Sequence, residues 1–202
     1  GEGILIRTLI VIERPATAAG EDPGQSVLLA ADSRGNIFRS VVTAGAMETK
    51  PFNTDIKSGG FYSMAWNPAR KLLALGNAAG NIILLPNIDT KTLASGRKIP
   101  ALTFEERHTG IVRALAFSPG GRYFASGSYD GTVMLWNLTG EKGPGIERRK
   151  PVVTIPGSRK ILSLIFPAGE ETLVFCDSQN LRTCPTRPGP LHDMLLKKKK
   201  RD

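Results

Sequence analysis

The chain has 202 residues, of which 41% are hydrophobic and 22% charged, and carries a formal net charge of +9 from 27 basic and 18 acidic residues. That apolar content supports a sizeable core and excludes a chain disordered throughout. Its 22 Gly and 14 Pro follow no collagen period and fall between short apolar runs, as in a turn-rich all-β protein. No apolar run is long enough to span a bilayer, and Gly1-Glu2-Gly3 lacks the basic segment that opens a secretory signal.

In chain order, residues 4–12 read as a first strand, and the Ala-, Gly- and Pro-rich stretch 15–24 as an enlarged loop. Val27-Leu28-Leu29-Ala30-Ala31 and Gly35-Asn36-Ile37-Phe38 give a second strand, a turn and a third, with an outer strand expected near 50–55. The next copy runs through Met64-Ala65-Trp66-Asn67-Pro68, Leu72-Leu73-Ala74-Leu75-Gly76 and the turn Gly80-Asn81, with an outer strand near 98–104. The sharpest copy predicts strands at 111–117, 122–127 and 132–137, and an outer one at 150–155 after a long loop. A last copy follows in Leu164-Ile165-Phe166-Pro167, Thr172–Cys176 and Leu181–Cys184. The prolines at 68, 119 and 167 are 51 and 48 residues apart, and Gly35 lies 45 residues before Gly80. Such periods fit a four-stranded propeller blade repeated four times.

Alternation through 111–117 sets Val112, Ala114 and Ala116 on one face and Arg113, Leu115 and Phe117 on the other. Both faces carry apolar residues, so each blade is expected to be sandwiched between neighbours. A doubly wound α/β chain is a poorer fit, because the connections at 118–121 and 128–131 are too short for helices. One terminal helix is expected at 188–197, with Leu191 and Leu195 on one face.

The run His108-Thr109-Gly110, Phe117-Ser118-Pro119 and Ser126-Gly127-Ser128-Tyr129-Asp130-Gly131-Thr132-Val133-Met134-Leu135-Trp136-Asn137 resembles the WD40 repeat family. The family commonly ends this motif in Trp-Asp; here it ends in Trp136-Asn137. The resemblance is sharp over 108–137, moderate over 61–87 and 161–184, and weak over 4–42. It implies an all-β WD40-type propeller segment with four degenerate blades in residues 1–187, at about 1–42, 50–87, 98–137 and 150–184. A short terminal helix and basic tail occupy 188–202. The family usually closes with about seven blades, so the four are expected to belong to a larger ring; a closed four-blade monomer is the other arrangement. An open arc would expose apolar side faces and strand edges. The stretch from Ser118 to Trp136 looks most like repeats of bacterial multidomain WD40 proteins, which implies a sensor or regulatory part in signalling or defence.

The resemblance also implies a structural tetrad of His108, Ser126, Asp130 and Trp136, with Asp130 fixing one ring nitrogen of His108 and Ser126 bridging to the Trp136 indole N–H. The same Ser, His and Asp are the elements of a hydrolytic triad. No Gly-x-Ser-x-Gly elbow surrounds Ser126, so bracing is the reading adopted. The other copies mostly lack the tetrad: Ala30 and Leu75 match Ser126, and Arg34 and Ala79 match Asp130.

The expected function is a noncatalytic scaffold that binds protein partners, one of which could be the chain or segment that completes the ring. Candidate contacts are Arg70, Arg107, Arg113, Arg122 and Tyr129, all near turns. A nucleic-acid-binding propeller is the second reading. It rests on the basic patch of Arg148, Arg149 and Lys150 and the tail Lys197-Lys198-Lys199-Lys200-Arg201. An enzyme with an unrecognised site is the third: there is no metal-ligand spacing, and Gly140–Gly145 lacks the P-loop pattern. No cofactor is expected. Cys176 and Cys184 lie on successive strands in a geometry poor for a mutual disulfide, and they point to a reducing, cytoplasmic setting.

Overall fold

A computed structural model describes residues 5–12, 26–43, 46–52, 54, 56, 59–139, 150–157, 159–167 and 170–186. Fifteen strands and one short helix are described there. The first sheet has the order β1 (Ile6–Ile12), β2 (Ser26–Asp32), β3 (Ile37–Thr43) and β4 (Ala46–Pro51). The second comprises β5 (Phe61–Asn67), β6 (Leu72–Asn77), β7 (Ile82–Leu85) and β8 (Leu102–Thr103), with helix α1 (Thr90–Ser95) between the last two. The third comprises β9 (Val112–Phe117), β10 (Tyr123–Ser128), β11 (Thr132–Asn137) and β12 (Val153–Pro156). The fourth has three described strands, β13 (Ser163–Ile165), β14 (Thr172–Cys176) and β15 (Leu181–Pro185). Every sheet is an antiparallel meander, the connectivity that short turns between alternating strands dictate.

Two elements differ from the sequence expectation. The first outer strand lies at Ala46–Pro51 rather than 50–55, because it pairs along the whole of β3, from Thr43 opposite Ala46 to Phe38 opposite Pro51. Helix α1 was not expected. Its cap was nevertheless written in the sequence: Asp89 accepts a 2.7 Å hydrogen bond from Thr92 N, and Gly96 ends the helix at φ 68°. The terminal helix expected at 188–197 lies outside the described residues.

Inner strands β1, β5, β9 and β13 lie side by side in that order, so the sheets fan out as successive blades. Three apolar cores fill the three spaces between four blades. One joins blades one and two through Val27, Leu29, Leu73, Leu75 and Leu85. A second joins two and three through Ala74, Leu84, Phe104, Phe124 and Trp136. The third joins three and four through Ala125, Leu135, Leu164, Leu173 and Phe175.

The alternation expected in β9 is broken. The register steps from Val112 opposite Ser128 to Ala114 opposite Gly127, leaving Arg113 as an extra residue in a β-bulge. Val112 therefore packs toward blade two with Leu115 and Phe117, while Ala114 and Ala116 pack toward blade four. Gly127 tolerates no side chain, since a Cβ there would come within 2.4 Å of Ile161 in the next blade.

Candidate functional site

The b–c turns, between the second and third strands, and the starts of the inner strands share one rim of the arc. Each of these turns is held by a polar side chain that caps its own backbone. Asp32 Oδ1 accepts from the backbone N–H of Arg34 and Asn36, at 2.9 and 2.8 Å. Asn77 Oδ1 does the same for Ala79 and Asn81, at 3.0 and 2.8 Å. Ser128 Oγ accepts from Asp130 N, and Asp177 Oδ1 from Gln179 N and Asn180 N. The sequence reading missed these four positions. The signal was a short polar residue just before each turn glycine or asparagine, the pattern of an Asx or Ser turn. In Asp32, burial pushes the carboxyl pKa up, but the hydrogen bonds from Asn36, Arg34 and Gly35 outweigh it and hold the group below its ordinary value.

His108 joins two blades on this rim. Its backbone N–H donates to Gly80 O in blade two at 3.0 Å. Its ring enters blade three, where Nδ1 lies 3.1 Å from Asp130 Oδ2 and 2.9 Å from Thr132 Oγ1, and Nε2 lies 2.7 Å from Ser126 Oγ. Burial lowers the His108 pKa, against the opposing charge and hydrogen bond of Asp130. The ring is therefore neutral, with Nδ1–H donating toward the carboxylate and Nε2 accepting the Ser126 hydroxyl. Asp130 completes the joint, accepting from Thr109 N at 2.9 Å, Thr132 N at 2.8 Å and Thr132 Oγ1 at 2.7 Å. Burial raises its pKa, but these hydrogen bonds and His108 outweigh that and hold it below its ordinary value.

The expected tetrad is thus altered in one member. Thr132 belongs to the network, and among the described residues Trp136 Nε1 has no hydrogen-bond partner. Trp136 contributes through its ring, with its centroid 4.9 Å from Phe104 and 5.5 Å from Phe124. The physical reason is that blade three meets blade two through an aromatic layer, and the indole lies in that layer.

The order Asp130–His108–Ser126 reproduces that of a hydrolytic triad, yet it cannot act as one. Ser126 is 0% exposed and His108 1%, so no substrate carbonyl reaches the hydroxyl. The network is a brace. Among the described residues no three His, Cys, Asp or Glu side chains gather as a metal site.

The expected contact residues fall in different places. Arg70 serves the joint between blades two and three: its Nη2 donates to Leu138 O at 2.7 Å, and its Nε donates to Gly121 O. Glu170 makes the matching joint from blade four, accepting from Ser118 Oγ at 2.8 Å and Arg122 N at 3.1 Å. The Arg122 side chain is exposed, with Nε 3.3 Å from Thr139 Oγ1. Tyr129 is half-buried beneath Lys160 of blade four, whose Nζ lies 5.0 Å from the ring centroid. Arg107 and Arg113 are exposed on the rim. Of the basic patch, Lys150 is exposed, while Arg148, Arg149 and Lys197 to Arg201 lie outside the described residues. Cys176 and Cys184 are free thiols, and burial raises the Cys184 pKa to about 11.

Residues 100–137 match the WD40 family, described as WD domain, G-beta repeat. The full arc superposes on the structure of U3-55K with a TM-score of 0.63 and 21% identity, covering 92% of this chain and 50% of that one. The chain is a four-blade segment of a β-propeller fold. Part of the chain is similar to "Target of rapamycin complex subunit wat1" of Schizosaccharomyces pombe, with 35% identity over 41% of the chain and 23% of the relative. Part is similar to "Ribosome biogenesis protein YTM1" of Scheffersomyces stipitis, with 30% identity over 54% of the chain and 23% of the relative. The matches therefore span about a quarter of the length of these relatives.

Proposed function

We propose that this WD40 segment is a noncatalytic scaffold whose four blades belong to a larger ring, of about seven, that binds protein partners. The observation that carries the reading is the state of the two end faces. On blade one, Leu9 is 57% exposed and Met47 66%, beside Val11 and Val42. On blade four, Ile165 is 59% exposed and Leu181 75%. Among the described residues, nine of the ten exposed large apolar side chains sit on these two blades. Apolar faces of this kind are what one blade offers the next. The completing blades come from another segment of the same protein or from another subunit. The names of the relatives, one a complex subunit and one a biogenesis protein, agree with a role in assemblies.

The free thiols of Cys176 and Cys184 favour a reducing, cytoplasmic setting for this scaffold. A sensor or regulatory role in a bacterial multidomain protein is the narrower form of the reading. It rests on the resemblance of Ser118–Trp136, whereas the matched relatives are eukaryotic. The test is affinity recovery of the native assembly, followed by intact-mass and cross-linking analysis. Cross-links from blades one and four to additional blade sequence are the expected result. Recovery of this chain alone, with its end faces uncross-linked, overturns the reading.

A further inference from the structure

Helix α1 is inserted between β7 and β8 and packs across the joint of blades one and two. Its Leu93 and the flanking Ile88 and Ile99 are buried in the same core as Leu29 and Phe52 of blade one. Arg39 of β3 is buried there too, at 8% exposure, and pairs with Leu29 on one side and Lys50 on the other. A buried guanidinium calls for acceptors or a counter-charge. Among the described residues Arg39 has no carboxylate partner, and its Nη1 is buried without a hydrogen bond. The nearby acids are engaged elsewhere: Glu48 lies 2.7 Å from Lys50, and Asp89, at the start of α1, lies 3.1 Å from Lys71.

The Arg39 guanidinium ends beside the last turn of α1, where a Cβ added to Gly96 would lie 3.4 Å from Nη2. Ser95 precedes that glycine. Of the hydroxyl residues of α1, Ser95 is exposed, whereas Thr90 and Thr92 are half-buried. Its Oγ donates to Thr92 O at 2.8 Å and accepts from Arg97 N at 3.2 Å. Exposed Lys91 stands one turn before it, and exposed Arg97 and Lys98 follow it. A helix of 6 residues has little stability of its own, so its last turn opens readily and presents the hydroxyl.

We propose that Ser95 is a phosphorylation site whose phosphate is received by Arg39, closing the joint between blades one and two. The Ser95 hydroxyl oxygen attacks the γ-phosphorus of a nucleoside triphosphate held by a serine/threonine kinase. The bond from that phosphorus to its bridging oxygen breaks, the nucleoside diphosphate leaves, and the hydroxyl proton passes to the kinase's base. Arg97 and Lys98 suit a kinase whose peptide groove is acidic. The phosphate brings acceptor oxygens to a guanidinium that lacks them. Lys91 and Arg97 offset the cost of negative charge at a helix C-terminus. The inference holds whichever blades complete the ring.

The test incubates the full chain with adenosine triphosphate and a purified serine/threonine kinase domain that selects basic residues after the acceptor. Mass spectrometry is expected to place phosphate on Ser95, and Arg97→Ala/Lys98→Ala is expected to slow the modification at least about tenfold. Phosphate only on other residues, or none, overturns the site. Phosphorus NMR then reads the phosphate itself. Its second pKa is expected to lie below the ordinary value of about 6, to rise back toward it in Arg39→Met, and to fall between the two in Arg39→Lys. Amide hydrogen exchange over 37–43 and 90–95 is expected to slow on phosphorylation of the parent and not of Arg39→Met. Near-ultraviolet circular dichroism checks that each variant is folded before it is modified. A phosphate pKa that is the same in the parent and both Arg39 variants, or exchange that speeds up in the phosphorylated parent, overturns the role of Arg39.

Discussion

Blades two and three differ from blades one and four in how their second strands are buried. Every residue of β6 and of β10 is buried, on both faces of the sheet. In β2 buried and half-buried residues alternate, and the same holds in β14. The sequences do not differ in kind: Leu28 and Ala30 on the open face of β2 are as apolar as Leu73 and Leu75 in β6. A blade's second face is thus a surface prepared for a neighbour, and whether it is core or patch depends on whether that neighbour is there. This is why an arc of four blades has three cores.

The comparison breaks most sharply in a core truncation. Leu135→Ala, fully buried between blades three and four, is expected to lower stability by about 2–5 kcal/mol, because the rigid sheets leave a cavity. Leu9→Ala on the open face of blade one is expected to stay within about 0.5 kcal/mol. Urea unfolding of the two variants checks this, and equal losses would mean that the end face is already covered.

Backbone strain comes next. Gly80 has φ +86°, and a Cβ there would sit 2.0 Å from His108 O. Gly80→Ala is expected to cost about 1–3 kcal/mol or more. Gly59→Ala, with nothing within 4 Å of its Cβ, is expected to change the urea midpoint little. The brace gives an effect of about 1–3 kcal/mol for Ser126→Ala, which leaves His108 Nε2 buried without its donor. Thermal unfolding of that variant measures it, and an unchanged midpoint would show that the hydroxyl does not brace the blade.

The smallest expected effect is on pH dependence. The His108 pKa is lower in the folded chain than its unfolded value of about 6.5, so the unfolded chain binds the extra proton. The stability this group contributes is complete above about pH 6.5 and is lost as the pH falls through that value toward the folded pKa. The urea midpoint is therefore expected to decline from about pH 7 to about pH 5, and to decline less in His108→Gln. Parallel declines would place the responsible group elsewhere.

What the sequence disclosed follows the range of the interactions involved. The strands around 111–137 were legible because period-two alternation and an Asp-Gly turn are local signals. Helix α1 was equally local, with Asp89 and Gly96 at its ends, but its single turn and a half offered too little apolar periodicity to stand out. The brace was half legible. Repeat resemblance found His108, Ser126 and Asp130, whereas Thr132 replaced the Trp136 indole because the ring's orientation is set by Phe104, 32 residues earlier in the chain. Arg70 looked like a free turn arginine because its acceptors, Gly121 O and Leu138 O, belong to the next blade. The bulge at Arg113 was hidden for a similar reason. A bulge changes the pairing of two strands without disturbing the alternating pattern along one.

The central claim is that the outer faces of blades one and four are blade-docking surfaces. Light scattering of the purified chain with an apolar fluorescent dye, repeated on the variant Leu9→Lys/Ile165→Lys/Leu181→Lys, tests it most directly. The account predicts self-association or strong dye binding by the parent chain, with both reduced in the variant. A compact monomer that binds no dye, and that the three lysines leave unchanged, would contradict it.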